Sequence, residues 1–258
     1  MAHRADGLTI LTIALPKGRI LAQAIPLLAR AGLDLRALLG PDQGRRLLLD
    51  LPGGLRVLLV KPSDVPTYVE HGVADLGVAG YDTLCEEARD LYEPVDLGIG
   101  ACRLVVAEPA DRPVTLRRGM ALRVATKYPR LAMRHYRSRG IQPEIIPLAG
   151  SVELGPLTGL SDQIVDLVES GETLRQNNLR ETDTILHVTS RLIVHPASLK
   201  LKQSAIARAI SAVRAAVAAT VAIPVDAPVD ATVDATVDAT VDATIDATVD
   251  PSVASRNA

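Results

Sequence analysis

The chain has 258 residues, 48% of them apolar, a net charge of −2 and only 2% aromatic residues, with five Tyr and neither Phe nor Trp. That length holds one large or two small domains around an aliphatic core. The missing aromatic surfaces argue against a nucleic-acid reader built on base stacking, and no stretch is apolar and long enough to span a membrane.

Residues 8–15 read as a buried first strand. Arg4 ahead of them imitates the start of a signal peptide, but the run is short, and Lys17, Gly18 and Arg19 stand where a small-residue cleavage site would be. A helix is predicted over residues 20–31, strands over 47–50 and 57–60, and a Pro-started helix over 65–71. Strands follow at 76–79, 104–107 and 122–126, a helix at 130–139 and a strand at 144–147. The segment 149–174 then reads as loop, helix, short buried strand (164–168), tight loop (169–173) and second helix. Strands at 186–188 and 192–194 precede a last helix over 203–222, in which Ile206, Ile210, Val213, Val217 and Val221 make one apolar face. Alternation of strands and helices is the signature of α/β architecture.

Beyond residue 222 a unit Val-Asp-Ala-Thr repeats from Val229 to Thr244. Its four-residue period stacks Asp at i and i+4, and half of each unit is β-branched, so helix is disfavoured. The expectation is a disordered tail over residues 223–258 without catalytic role. Its seven Asp and one Arg give −6, which leaves +4 for the first 222 residues, a mildly basic body that fits a handler of polyphosphates. Cys85 and Cys102 form neither a Cys-x-x-Cys pair nor a zinc pattern, which suits a reducing cytoplasm. The five His show no ligand spacing.

The tight loop Glu169, Ser170, Gly171, Glu172, Thr173 is a candidate phosphate cradle. Small residues let backbone approach an anion, and free N–H groups at a helix start, with the Ser and Thr hydroxyls, supply donors. Asp166 lies just upstream, near the strand's carboxyl end, where ligands of open α/β sheets bind. A carboxylate beside a phosphate nest suits a sugar phosphate. The competing reading is ordinary connection chemistry, with Ser170 or Thr173 as a helix N-cap.

The run GSVELGPLTGLSDQIVDLVESGETLRQNNL resembles the phosphoribosyl-pyrophosphate (PRPP) segment of the ATP phosphoribosyltransferase family. Further blocks in that family's order are LTIALPKGRI, VKPSDVPTYVEHGVADLGVAGYDTL, GIGACRLVVA, RVATKYPRLAMRHY and TSRLIVHPASLK. The resemblance implies an α/β fold of two lobes, like type II periplasmic binding proteins, with the substrate cleft between them. Lobe I would take residues 1–100 plus 185–222, and lobe II residues 101–184 with the PRPP loop. It also implies condensation of ATP, through adenine N1, with PRPP, giving phosphoribosyl-ATP and pyrophosphate in the first step of histidine biosynthesis. No protein nucleophile is needed; positioning and charge neutralisation are the catalytic means. Mg²⁺ is implied as the cofactor, bound mostly through substrate oxygens and water.

On this resemblance PRPP would be held by Glu153, Asp166, Glu169, Ser170, Gly171, Glu172 and Thr173, and ATP or pyrophosphate by Lys17, Arg19 and Lys61. Glu153 also sits where it could cap a helix, and Asp64 reads as the cap of the helix begun near Val65. Many relatives carry Arg at Lys61, and Lys keeps the charge without the bidentate fork. Gly155 and Ser161 stand where relatives often carry Ala, and His195 where they often carry Asn. Lys127 and Arg103, beside strands of lobe II, stay open between substrate contact and structure. Only one helix and the repeat tail follow Lys200, so the chain resembles the short form of the family. That form implies a cytoplasmic hetero-oligomer with a regulatory subunit similar to histidyl-tRNA synthetase. The alternatives are a non-catalytic two-lobed solute-binding protein, and a phosphoribosyltransferase acting on another acceptor.

Overall fold

The computed structural model describes residues 10–39, 46–115 and 121–221. The first strand, β1 (Leu11–Pro16), is buried along its whole length, and α1 (Arg19–Arg30) lays Ala24, Ile25, Leu27 and Leu28 on it. The start of the strand expected from residue 8, and the whole Val-Asp-Ala-Thr segment, lie outside the described residues. Next come β2 (Leu48–Leu51), β3 (Leu55–Val60), α2 (Val65–Glu70), β4 (Leu76–Gly80), α3 (Tyr81–Glu87) and β5 (Tyr92–Asp96). Then follow β6 (Cys102–Pro109), β7 (Leu122–Thr126), α4 (Pro129–Ser138), β8 (Pro143–Pro147), α5 (Leu154–Leu157), β9 (Gln163–Val168) and α6 (Glu172–Gln176). The chain returns through β10 (Leu179–Val188) and β11 (Ser190–Val194) to α7 (Pro196–Leu201) and α8 (Gln203–Val221).

These strands form two mixed sheets, one ordered β2-β3-β1-β4-β11-β5 and the other β10-β6-β9-β7-β8. Each sheet has its own aliphatic core. The first is centred on Ile13, Leu15, Leu28, Leu76 and Leu192; the second has Leu104, Val124 and Leu131 on one face and Val105, Ala125 and Ile164 on the other. The chain passes between the sheets at residues 97–101 and again at Thr189. The two crossings run side by side: Leu97 N–H donates to Ser190 O and Ser190 N–H to Ile99 O, both at 2.9 Å. Asp96 fastens them by accepting from Thr189 Oγ1 (2.7 Å) and Gly98 N–H (3.0 Å) and pairing with Arg191 (2.6 Å).

Several elements were not readable in advance, for local reasons. β5 is an exposed strand with Pro94 inside it, as edge strands tolerate. β10 is ten residues long, but two register shifts against β6 break its alternation, so only its apolar end at 186–188 carries a strand pattern. α3 is seven residues ending on Ala88 in the left-handed region, too short for a periodicity. Asp64 does precede α2, but its carboxylate makes no cap bond and accepts from Ser63 Oγ instead (3.0 Å).

The last segment closes the first sheet's lobe through one buried carboxylate. Asp75 accepts from Thr12 N–H (2.8 Å), Ser198 Oγ (2.6 Å) and Lys202 Nζ (2.7 Å), so β1, α7 and α8 converge on the start of β4. Asp75→Ala leaves a buried donor set unmatched, and such breaks cost about 3–5 kcal/mol. Urea unfolding should show a lower midpoint at unchanged slope; a midpoint equal to wild type would refute this role.

Candidate functional site

Both sheets turn the carboxyl ends of their central strands towards one cleft. β7 and β9 are parallel, with Thr126 paired to Val165, so the loops after them stand side by side. From the other sheet, β1 delivers its following turn and Arg19 to the same place. Two adjoining spaces result, of about 280 and 340 Å³, and Arg19, Cys102 and Leu167 line both. Clefts of this kind are the usual home of small-molecule sites.

The smaller space is lined by Arg19, Glu153, Asp166 and the whole loop Glu169, Ser170, Gly171, Glu172 and Thr173. Gly171 precedes α6 with φ of 77°, a conformation that favours glycine, and a Cβ there would stand 3.3 Å from Arg175 Nη1. Ser170 Oγ accepts the N–H of Glu172 at 3.3 Å, but the N-cap position belongs to Gly171 without a side-chain cap bond and Thr173 lies inside the helix, so neither expected cap is formed. α6 has only five residues, so the anion affinity of the loop rests on local N–H groups more than on a helix dipole. Glu153 stands at the start of α5 without a side-chain cap bond, and its carboxylate faces the cavity.

The four carboxylates named from the sequence all reach this space. Four carboxylates line the smaller space against one guanidinium. Arg19 pairs with Glu169 across the cleft, and Glu172 is held by Arg175 at 2.7 Å. Glu153 and Asp166 carry no such ion pair among the described residues. Asp166 accepts the N–H of Leu167 at 2.8 Å; burial pushes its carboxyl up, and the charge of Glu153 adds to the rise, while Leu167 N–H and the Lys127 ammonium oppose it. Lys17 and Lys61 line neither space, although their neighbours Pro16, Pro62 and Ser63 line the larger one.

The larger space holds groups the sequence did not single out. Asp82 and Tyr128 meet there, buried, with the Tyr128 hydroxyl donating to Asp82 Oδ2 at 2.9 Å. The signal was Tyr128 itself: in a chain poor in aromatics a buried phenol needs a partner for its hydroxyl. Cys102 is raised by burial and by the Asp82 carboxylate, against the opposing charges of Arg19 and Arg103. It is therefore a thiol at neutral pH and no nucleophile. Among the described residues no group of three or more His, Cys, Asp or Glu could hold a metal ion, and no helix is long and apolar enough to cross a membrane.

Comparison with known proteins agrees with this geometry. The family model described as HisG: ATP phosphoribosyltransferase matches residues 61–215. A protein of Sorangium cellulosum named ATP phosphoribosyltransferase is 54% identical over 205 residues, covering 79% of this chain and 94% of that one. A solved ATP phosphoribosyl transferase (HisG:HisZ) complex from Thermotoga maritima contains a chain with TM-score 0.71 and 34% identity, over 81% of this chain and 100% of that one. The periplasmic aliphatic sulphonate binding protein SsuA from Escherichia coli matches with TM-score 0.50 at 15% identity, over 82% of this chain and 73% of that one, which speaks to the two-lobed, type II periplasmic-binding-protein-like fold alone.

A raised carboxyl makes a prediction whose sign can be worked out. Asp166 holds its proton more tightly folded than unfolded, so its ionised form costs stability above the folded pKa, and that cost fades as pH falls through it. Asp166→Asn removes the penalty, and its Tm at pH 7 should equal or exceed that of wild type, with the gap closing in acid. A Tm clearly below wild type at pH 7 would show that the carboxylate is a structural group.

Proposed function

The chain belongs to the ATP phosphoribosyltransferase family, and from that premise we propose how its cleft carries the reaction. The enzyme is a glycosyltransferase of histidine biosynthesis: ATP and PRPP give phosphoribosyl-ATP and pyrophosphate. It works as a hetero-oligomer with a HisZ-type regulatory subunit. Its place of work on this reading is the cytoplasm, where both substrates are made and used.

The observation that carries the assignment is the meeting of loop 169–173, Glu153, Asp166 and, from the other lobe, Arg19 around one small space. The loop takes the 5′-phosphate of PRPP through backbone N–H groups and the hydroxyls of Ser170 and Thr173. Asp166 and Glu153 accept from ribose hydroxyls. Arg19 exchanges Glu169 for a polyphosphate oxygen. Lys17 and Lys61, next to residues of the larger space, act on ATP or pyrophosphate as longer-range charges.

The carboxylate-rich lining favours a PRPP that brings a divalent cation with it. Four carboxylates repel a bare pyrophosphate, yet no three of the described acidic or sulfur or imidazole groups converge into a cage. Glu153 and Asp166 would hold a magnesium ion, directly or through its waters, and the ion would supply neutralising charge for the pyrophosphate. The bond from the anomeric carbon to pyrophosphate oxygen breaks, and pyrophosphate keeps the electron pair. The bond from that carbon to adenine N1 forms through an oxocarbenium-like transition state. The protein's part is alignment, water exclusion and the placing of charge.

The purified chain with its HisZ-type partner, ATP, PRPP and Mg²⁺ should yield phosphoribosyl-ATP by mass spectrometry. Asp166→Asn and Gly171→Val should each abolish PRPP binding in calorimetric titration while circular dichroism stays native. Chelation of Mg²⁺ should weaken PRPP binding to the wild-type chain. Wild-type affinity in both variants would place the PRPP site elsewhere, and metal-independent binding would remove the role given to the carboxylates.

A further inference from the structure

Of the two lobe II cations that the sequence leaves open, the structure separates one from the other. Arg103 is engaged on the sheet, where its guanidinium donates to Glu181 at 2.8 Å between β6 and β10. Lys127 makes no hydrogen bond or ion pair among the described residues, is exposed, and lines the larger cleft space with Arg19 and Asp82. It stands at the carboxyl end of β7, next to the strand that carries Asp166, and its charge is felt at that carboxyl.

The turn that presents Lys127 is pinned from both lobes. On its own side, Thr126 Oγ1 donates to Val165 O (2.6 Å) and accepts the N–H of Tyr128 (2.8 Å). From the other lobe, Asp82 accepts the Tyr128 hydroxyl, and the Glu86 carboxylate accepts the N–H groups of Arg130 (2.8 Å) and Leu131 (2.9 Å) at the start of α4. A flexible side chain gains most as an anion donor when its backbone is fixed, because less ordering remains to be done on binding. Five hydrogen bonds hold the segment that presents this unpaired ammonium, and none of them satisfies Lys127 itself.

We propose that Lys127 is a further substrate-contacting residue, donating to a phosphate oxygen of ATP or of the pyrophosphate group of PRPP. In this arrangement Asp82 and Tyr128 are positioning residues, which hold the Lys127 turn in place from the opposite lobe. The proposal rests on the reaction assigned above and adds the lobe II cation that Arg19, from lobe I, lacks as a counterpart. With both in place the polyphosphate is gripped from the two walls of the cleft, and Asp82 makes the position of one grip depend on the other lobe.

The test is calorimetric titration of the full chain with Mg·ATP and with Mg·PRPP. Lys127→Met should weaken at least one of them about tenfold or more, as the loss of a charge-assisted hydrogen bond does, at unchanged Tm. Lys127→Arg should recover most of the loss, and Arg103→Met should bind like wild type. Tyr128→Phe should weaken the same ligand, and this loss should vanish in the Lys127→Met background, because its effect runs through Lys127. Asp82→Asn should keep affinity, since the amide oxygen still accepts from the phenol. Wild-type affinity for both ligands in Lys127→Met overturns the contact, and an undiminished Tyr128→Phe effect in the double variant overturns the positioning role. A wild-type chain that binds both ligands yet forms no phosphoribosyl-ATP with its partner would sink the reaction instead, while the binding comparison still decides Lys127.

Discussion

The molecule is organised by the paired crossing of the chain between its two sheets. Because residues 97–101 and Thr189 run side by side, hydrogen-bonded and fastened by Asp96, each lobe must complete its own core, and neither can drift far from the other. The strand ends of both lobes then face a common gap. Functional groups from distant parts of the sequence meet there without any one element spanning the cleft. Arg19 follows β1, Asp82 follows β4, Lys127 follows β7 and Asp166 stands on β9. This is the general rule for ligand sites in α/β sheets, here applied twice and turned face to face.

An aliphatic core shapes how polar groups are used. With no Phe or Trp, packing is done by Leu, Ile, Val and Ala, and the few phenols that are buried are tied down by hydroxyl bonds. Tyr136 donates to Gln163 at 2.7 Å and Tyr128 to Asp82, and burial raises both phenols, so they stay protonated donors at any physiological pH. The Gly155 and Ser161 pair shows the same economy of volume. A Cβ at Gly155 would stand 2.5 Å from Ser161 Oγ, so the extra oxygen at one position fills the room left by the missing carbon at the other. That oxygen is buried without a partner, which makes the pairing steric.

The sequence made the strand–loop–helix at 164–174 legible because it is local: one buried strand, one glycine with positive φ, one short helix. The two-lobed arrangement came from the order of the resembling blocks and could not have come from periodicity. Asp82 and Tyr128 escaped for a different reason. Their meaning depends on a contact between residues 46 positions apart in sequence, and nothing in the local pattern of either segment announces it. Arg103 and Lys127 looked alike as cations beside strands, and only the position of Glu181 on β10, a strand hidden by its bulges, tells them apart.

The charge of the cleft also corrects a habit of reading phosphate sites as simply positive. Around loop 169–173 the charged side chains are mostly acidic, and the ammonium of Lys127 stands in the adjoining space. Such a layout discriminates between parts of one substrate. On the proposed reading the ribose lies beside Asp166 and Glu153, the 5′-phosphate takes backbone donors that carry no net charge, and the polyphosphate lies towards Arg19 and Lys127. A uniformly basic pocket would hold any polyanion in any orientation and would stabilise the ground state as much as the departing pyrophosphate. On that reading the carboxylates around loop 169–173 disfavour a reversed substrate, so orientation follows from repulsion as well as attraction. On the same reading the Arg19–Glu169 pair holds the guanidinium across the gap until a substrate anion replaces the carboxylate.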